Sequence, residues 1–139
     1  MSANIIDGKA LAAGIRQEIR SKIQNFTDAP RPPCLAVILV GDNPASQIYV
    51  RNKIKACLDT GITSLEKRLL ADASEAELLS LIKELNEDDS VDGILVQLPL
   101  PKGFDEQKVI RSIAAEKDVD GFHVENMGAL VTGLKGFRC

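Results

Sequence analysis

The sequence predicts an α/β domain in three layers, αβα, with helices on both faces of a mostly parallel sheet. Two observations carry that expectation. Two short apolar runs, CLAVILV (34–40) and GILVQLPLP (93–101), are bounded by prolines and glycine, as buried strands are. Apolar residues recur at helical spacing before, between and after them. Strands therefore alternate with helices, which implies βαβ units and a sheet covered on both sides.

The elements follow in chain order. Leu11, Ile15, Ile19 and Ile23 recur every four residues after Asp7-Gly8, the face of a first helix with Asp7 as its N-cap. Pro30, Pro32 and Pro33 end it, and the first strand takes 34–40. The turn Gly41-Asp42-Asn43-Pro44 leads into a second helix that stops near Gly61. Residues 62–69 fit a strand of polar character. Ser74-Glu75-Ala76-Glu77 matches a capping box ahead of Leu78, Leu81, Ile82 and Leu85, so a third helix starts there. The second apolar run is expected to be a strand over 93–101 running into a proline-marked loop. A short helix is expected over 105–113, a loop or short strand at DVDGFH (118–123), and a last helical piece over 124–132.

The totals exclude several classes of function. At 139 residues the chain fits one domain and can bury a core without staples. Its net charge of −3 leaves no basic footprint for nucleic acid, and with 4% aromatics and no Trp it lacks stacking platforms for bases. Cys34, Cys57 and Cys139 are too few and too scattered for a disulfide framework, and with no CxxC and one histidine, His123, no metal site is expected. No apolar run approaches a membrane span, and MSANIIDGKA lacks the regions of a signal peptide. No membrane partner is expected, and the cytoplasm is the default location.

In a parallel α/β sheet, ligands gather at the carboxyl ends of the strands. Three points of the sequence lie there: the turn after Val40, the residues after Val96, and the loop around Asp118 and Asp120. With Tyr49 set at zero and about 100° per residue, Lys53 falls near 40°, while Val50, Ile54, Cys57 and Leu58 fall at about 80–180°, the expected buried stripe. Tyr49 and Lys53 then share a boundary position. Boundary tyrosines and lysines are common, because both have apolar bodies and polar tips, so spacing alone does not make them a site. Gln97 adds a second feature: an amide inside an apolar run must find a partner or cost about 1–3 kcal/mol. It either bonds a neighbouring loop or orients the lysine. An aspartate before a glycine, as at Asp120, is usually a turn residue, and Asp118 reads the same way.

Together these residues carry a resemblance. GDNPASQIYVRNKIKAC (41–57), GILVQLPLP (93–101) and KDVDGFHVENMGAL (117–130), in that order, resemble the N-terminal domain of the bifunctional methylenetetrahydrofolate dehydrogenase/methenyltetrahydrofolate cyclohydrolase family. The likeness covers essentially the whole chain, so residues 1–139 read as one catalytic domain, with 117–139 leading toward the family's second domain. It implies two linked reactions: NADP oxidises 5,10-methylene- to 5,10-methenyltetrahydrofolate, and water opens the methenyl bridge to give 10-formyltetrahydrofolate. It also implies roles. Tyr49 lies against the folate ring system, Lys53 is the catalytic lysine, Gln97 supports it, Val96 and Leu98 flank Gln97 in the folate cleft, and Asp120 binds the pterin. Asp118 is left as structural.

The chemistry suits these residue types. The methenyl compound is a cation at its bridging carbon, and its hydrolysis needs a water that loses a proton as it attacks. A lysine in water has a pKa of about 10.4, and both partial burial and a nearby positive substrate disfavour its charged form. Lys53 is therefore expected to act as a neutral general base held by Gln97, with the Tyr49 ring placing the reacting carbon within reach.

The family also has a second, Rossmann domain for the nicotinamide cofactor, and this chain ends at Cys139 ahead of it. No two glycines are spaced G-x-G, and Gly128 and Gly133 are followed by Leu134 rather than a lysine, so neither a dinucleotide nor a Walker fingerprint is present. No cofactor-binding residue is assigned here, and redox activity of this chain by itself is not expected. The family forms homodimers, largely through that second domain, so a dimer does not follow for this chain. Helices that pack on it in the family are expected to expose apolar surface. Two other readings stand beside the enzyme: a folate- or partner-binding module without turnover, and a different α/β domain such as a signalling receiver, for which Asp42 and Asp120 supply only a thin acidic cluster.

Overall fold

The computed structural model describes residues 6–136. Cys139 and the first five residues lie outside that range. Eight elements follow one another: α1 (Gly8–Asn25), β1 (Cys34–Val40), α2 (Pro44–Thr60), β2 (Thr63–Leu69), α3 (Glu75–Glu87), β3 (Gly93–Val96), α4 (Glu106–Ser112) and α5 (Val124–Thr132). The sheet has the order β2-β1-β3, and both pairings are parallel, with Cys34 opposite Thr63 and Leu35 opposite Gly93. This is the expected α/β architecture.

Local chemistry sets the helix ends. The Asp7 carboxylate accepts from the amides of Lys9 and Ala10 and starts α1. Ser74 and Glu77 form both arms of the capping box on α3. Gly61, at φ +86°, takes the left-handed conformation that closes α2, where any other residue would be strained.

β1 is central, and its alternate residues feed two cores. Ala36, Ile38 and Val40 join Ile94 and Val96 of β3 against Leu78, Ile82 and Leu85 of α3 and Val109 of α4. Val37 and Leu39 face the other way, onto Val50 of α2 and Leu95, with Ile54 and Val119 at the margin. β2 is the polar edge strand, which needs only its Leu65 and Leu69 face covered.

Three expectations need correction. The strand over 93–101 is four residues long. Gln97 donates its amide to the Ile38 carbonyl at 2.9 Å and then leaves the sheet, and the Leu98–Pro99 peptide is cis. Leu58, placed in the buried stripe of α2, is 71% exposed, and Tyr49, placed at the boundary, is 62% exposed. The buried set is Ser46, Val50, Cys57 and Thr60, which centres the stripe at about 65° on the same wheel. Two of those four are polar and invisible to a hydrophobic pattern. Finally, α1 buries no residue: it lies on α2, and Leu11, Ile15 and Ile19 face outward.

The larger core predicts the energetics. Ile82 is fully buried between α3 and the sheet. Ile82→Ala should lower unfolding free energy by about 2–5 kcal/mol in a urea titration. A loss under 1 kcal/mol would mean the α3 layer is not packed as described.

Candidate active site

The strand order reverses at β1. The chain leaves β1 for β2 on one edge and returns to β3 on the other, so the carboxyl ends of β1 and β3 flank a switch point. Residues from three separate segments meet on the α2 side of that place.

Lys53 comes from the middle of α2. At about 40° on the wheel it sits inside the corrected stripe rather than at its border, and it is half-buried. Its Nζ donates to Gln97 Oε1 at 3.3 Å. The other end of the same amide is fixed: Gln97 Nε2 donates to the Leu98 carbonyl at 2.6 Å. An amide whose nitrogen is committed to a carbonyl can present only its oxygen to the lysine. Both arrangements open to Gln97 are present: its nitrogen bonds the loop that follows β3, and its oxygen accepts from the lysine.

Asp120 comes from the turn after Lys117 and is half-buried. Burial pushes its carboxyl up from the ordinary carboxylate range, the positive charge of Lys53 pulls it back, and the neighbouring Asp118 pushes it up again. Lys53, Gln97 and Asp120 thus form one group, drawn from α2, the end of β3 and the 118–121 turn. Tyr49 is one turn before Lys53 on α2, with its ring open to solvent.

Two assigned residues sit differently. Leu98 reaches the group through its backbone carbonyl, as the acceptor for Gln97. Val96 points the other way: its side chain is buried with Ile38 and Ile94 in the core under α3 and α4, so only its backbone faces the group. A parallel strand buried on both sides gives no sequence signal for which apolar residue faces which layer.

The pattern also missed what holds the Asp120 turn. Lys117 sends Nζ to the carbonyls of Leu85, Asn86 and Asp88 at 3.1, 2.8 and 2.8 Å, a cation closing the C-terminus of α3. Val119 packs so closely on Gly93 that a Cβ there would lie 2.5 Å from its Cγ1. The signal available was the lone glycine opening an apolar strand, which marks a close approach by another chain segment.

A nicotinamide dinucleotide does not fit these residues. The helix start at the end of β1 is the natural pyrophosphate seat, but Asn43 Oδ1 already accepts from the amides of Ala45 and Ser46 at 3.0 and 3.2 Å, and Pro44 has no amide to offer. Among the described residues, no group of three His, Cys, Asp or Glu is placed to hold a metal ion, and no helix is long and apolar enough to cross a membrane. A groove of about 440 Å³ under the end of α1, lined by Ile23, Phe26 and prolines 30, 32 and 33, includes none of the three grouped residues.

Comparison with known proteins points to one family. A sequence model described as the catalytic domain of tetrahydrofolate dehydrogenase/cyclohydrolase matches residues 6–120. The bifunctional protein FolD of Cupriavidus metallidurans is 59% identical over 138 residues, 99% of this chain and 48% of that protein. The crystal structure of the FolD methylenetetrahydrofolate dehydrogenase/cyclohydrolase of Campylobacter jejuni superposes with a TM-score of 0.91 at 54% identity, covering 94% of this chain and 47% of that one. The Trypanosoma brucei methylenetetrahydrofolate dehydrogenase-cyclohydrolase, solved with NADP and an inhibitor, superposes with a TM-score of 0.90 at 32% identity, covering 98% and 47%. The chain spans about half the length of the relatives it matches.

Asp120 makes a test of the site's electrostatics. A carboxyl with a raised folded pKa contributes stability fully present below its unfolded pKa of about 3.9, and lost as pH rises through the folded value. Asp120→Asn should therefore be more stable than the parent at neutral pH, with the gain vanishing in acid. A gain that grew toward acid pH would show the carboxylate to be stabilising.

Proposed function

The chain belongs to the tetrahydrofolate dehydrogenase/cyclohydrolase family, and on that premise we propose that it carries the folate-binding and catalytic half of a one-carbon enzyme. Its substrate class is the reduced folates, and the reaction built on its own residues is hydrolysis of 5,10-methenyltetrahydrofolate to 10-formyltetrahydrofolate. The observation that carries this reading is the Lys53–Gln97 hydrogen bond, with Asp120 beside the same lysine.

Each group has a task. The pterin end of the substrate carries an amino group and a ring N–H, and Asp120 accepts from both in a charge-assisted pairing. Tyr49 offers an exposed flat ring one helical turn from Lys53, a platform for the folate ring system. A substrate with positive charge at its bridging carbon favours the neutral amine beside it. Gln97 Oε1 takes one N–H of that amine, which aims the nitrogen lone pair away from the amide and toward an attacking water. As the water oxygen bonds to the bridging carbon, its proton passes to Lys53 Nζ. The tetrahedral adduct then opens at its bond to N5: the hydroxyl gives up its proton to solvent as the formyl C=O forms, and the protonated Lys53 returns its proton to N5, leaving the formyl group on N10.

The family's oxidation step uses NADP, which the Trypanosoma brucei relative was solved with. We assign that cofactor to the half of the relatives' length that this chain does not span, because the helix start beside β1 is already capped. The proposed compartment is the cytosol, in keeping with the free thiols of Cys34 and Cys57.

Hydrolysis of 5,10-methenyltetrahydrofolate can be followed by its absorbance. Lys53→Met should slow it by about 10²–10⁴-fold, the range of a lost general base, and Asp120→Ala should instead raise the folate dissociation constant. Unchanged hydrolysis in Lys53→Met would remove the assignment.

A further inference from the structure

The turn that presents Asp120 is folded around a second carboxylate. Asp118 is 3% exposed. Its Oδ1 accepts from the Gly121 amide at 3.1 Å, and its Oδ2 accepts from the His123 amide at 2.8 Å and from Asn126 Nδ2 at 3.0 Å. Those donors all follow Asp120 in the chain: one in the turn, one at the N-cap of α5, one within α5. The segment before it is fixed too, since Ile94 donates to the Lys117 carbonyl at 2.7 Å and pairs with Asp118 as an isolated parallel bridge.

With both ends of the turn tied, Asp120 has little freedom. Gly121 sits at φ +71°, a left-handed conformation that reverses the chain directly after Asp120. Asp118 and Asp120 are two residues apart, yet one is locked inward by three N–H groups and the other is left to Lys53.

We propose that Asp118 is a positioning residue for folate recognition: it gathers the amides of Gly121 and His123 and the side chain of Asn126, and so folds the 118–123 turn so that Asp120 meets the Lys53 face. This rests on the folate reading above and extends it to a residue with no substrate contact. The charged groups acting on Asp120 are Lys53 of α2 and Asp118 of its own turn. Removing the Asp118 charge therefore has a defined direction. Asp120 ionises more readily, so the acid limb of folate binding moves to lower pH, even as looser geometry weakens binding on the plateau.

The test is calorimetric titration of the whole chain with tetrahydrofolate across an acid-to-neutral pH series, beside thermal unfolding. The parent should bind more tightly as pH rises through the titration of Asp120, and Asp120→Asn should weaken binding and remove that limb. Asp118→Asn keeps the shape and one acceptor oxygen. It should weaken plateau binding by about tenfold, the scale of one charge-assisted hydrogen bond, and move the limb to lower pH. Asn126→Ala removes one donor to Asp118, together with the 2.8 Å bond to the Ala115 carbonyl, and keeps the Asp118 charge, so it should weaken binding with the limb in place; it also serves if Asp118→Asn does not fold. Parent-like affinity in both Asp118→Asn and Asn126→Ala would overturn the proposal, as would weakened binding in a folded Asp118→Asn whose limb did not move. Binding unaffected by Asp120→Asn would overturn the folate reading first, and this one with it.

Discussion

Strand β1 is paired on both edges and covered on both faces, and the five residues from Ala36 to Val40 are all buried. A strand in that position cannot shift register by one residue without exchanging its two cores, because Ala36, Ile38 and Val40 would trade places with Val37 and Leu39. Everything at the candidate site is referred to this fixed element. α2 starts from its end, β3 takes register from it, and Gln97 leaves the sheet at a point set by the Ile38 carbonyl. The precision available to Lys53 and Gln97 comes from that shared reference rather than from their own 3.3 Å hydrogen bond.

The segment 117–121 distributes its side chains in opposite directions. Lys117 reaches three carbonyls at the end of α3, Asp118 gathers three N–H groups from the turn and α5, Val119 packs on Gly93 in the smaller core, and Asp120 remains beside Lys53. A five-residue stretch can hold a carboxylate in a half-buried position only if its backbone has no freedom to carry that carboxylate back to water. Burying a charge is costly unless it is paired, and here the nearest opposite charge is the lysine of the proposed chemistry. The same contacts that build the turn therefore set up the electrostatics of the site.

The helices divide into two kinds. α3 inserts Leu78, Ile82 and Leu85 into the larger core, and α2 inserts Val50 into the smaller one. α1 and α5 contribute little to either: α1 buries nothing, and in α5 only Asn126 is buried while Val124, Met127, Leu130 and Val131 are exposed. Their helical form is secured at the ends, by Asp7 on α1, and by His123 and the left-handed Gly133 on α5. Apolar faces carried on such helices are the kind of surface that marks contact with another body.

Elements whose signals are local could be read from the residues alone. The Ser74–Glu77 capping box, the stop at Gly61 and the continuous apolar run of β1 each follow from chemistry within a few residues, and each stands where expected. The site residues were legible only as a set of motifs; no single spacing separated Lys53 from an ordinary boundary lysine. Folding decided what alternation and spacing leave open: that Leu58 points to solvent while Thr60 is buried, that Val96 turns into the far core, and that Asp118 is drawn inward where Asp120 is not. Local propensity acts through the backbone of one segment. The direction of a side chain in a doubly covered strand, or of one aspartate among two, is set by donors and apolar atoms that arrive from segments far along the chain.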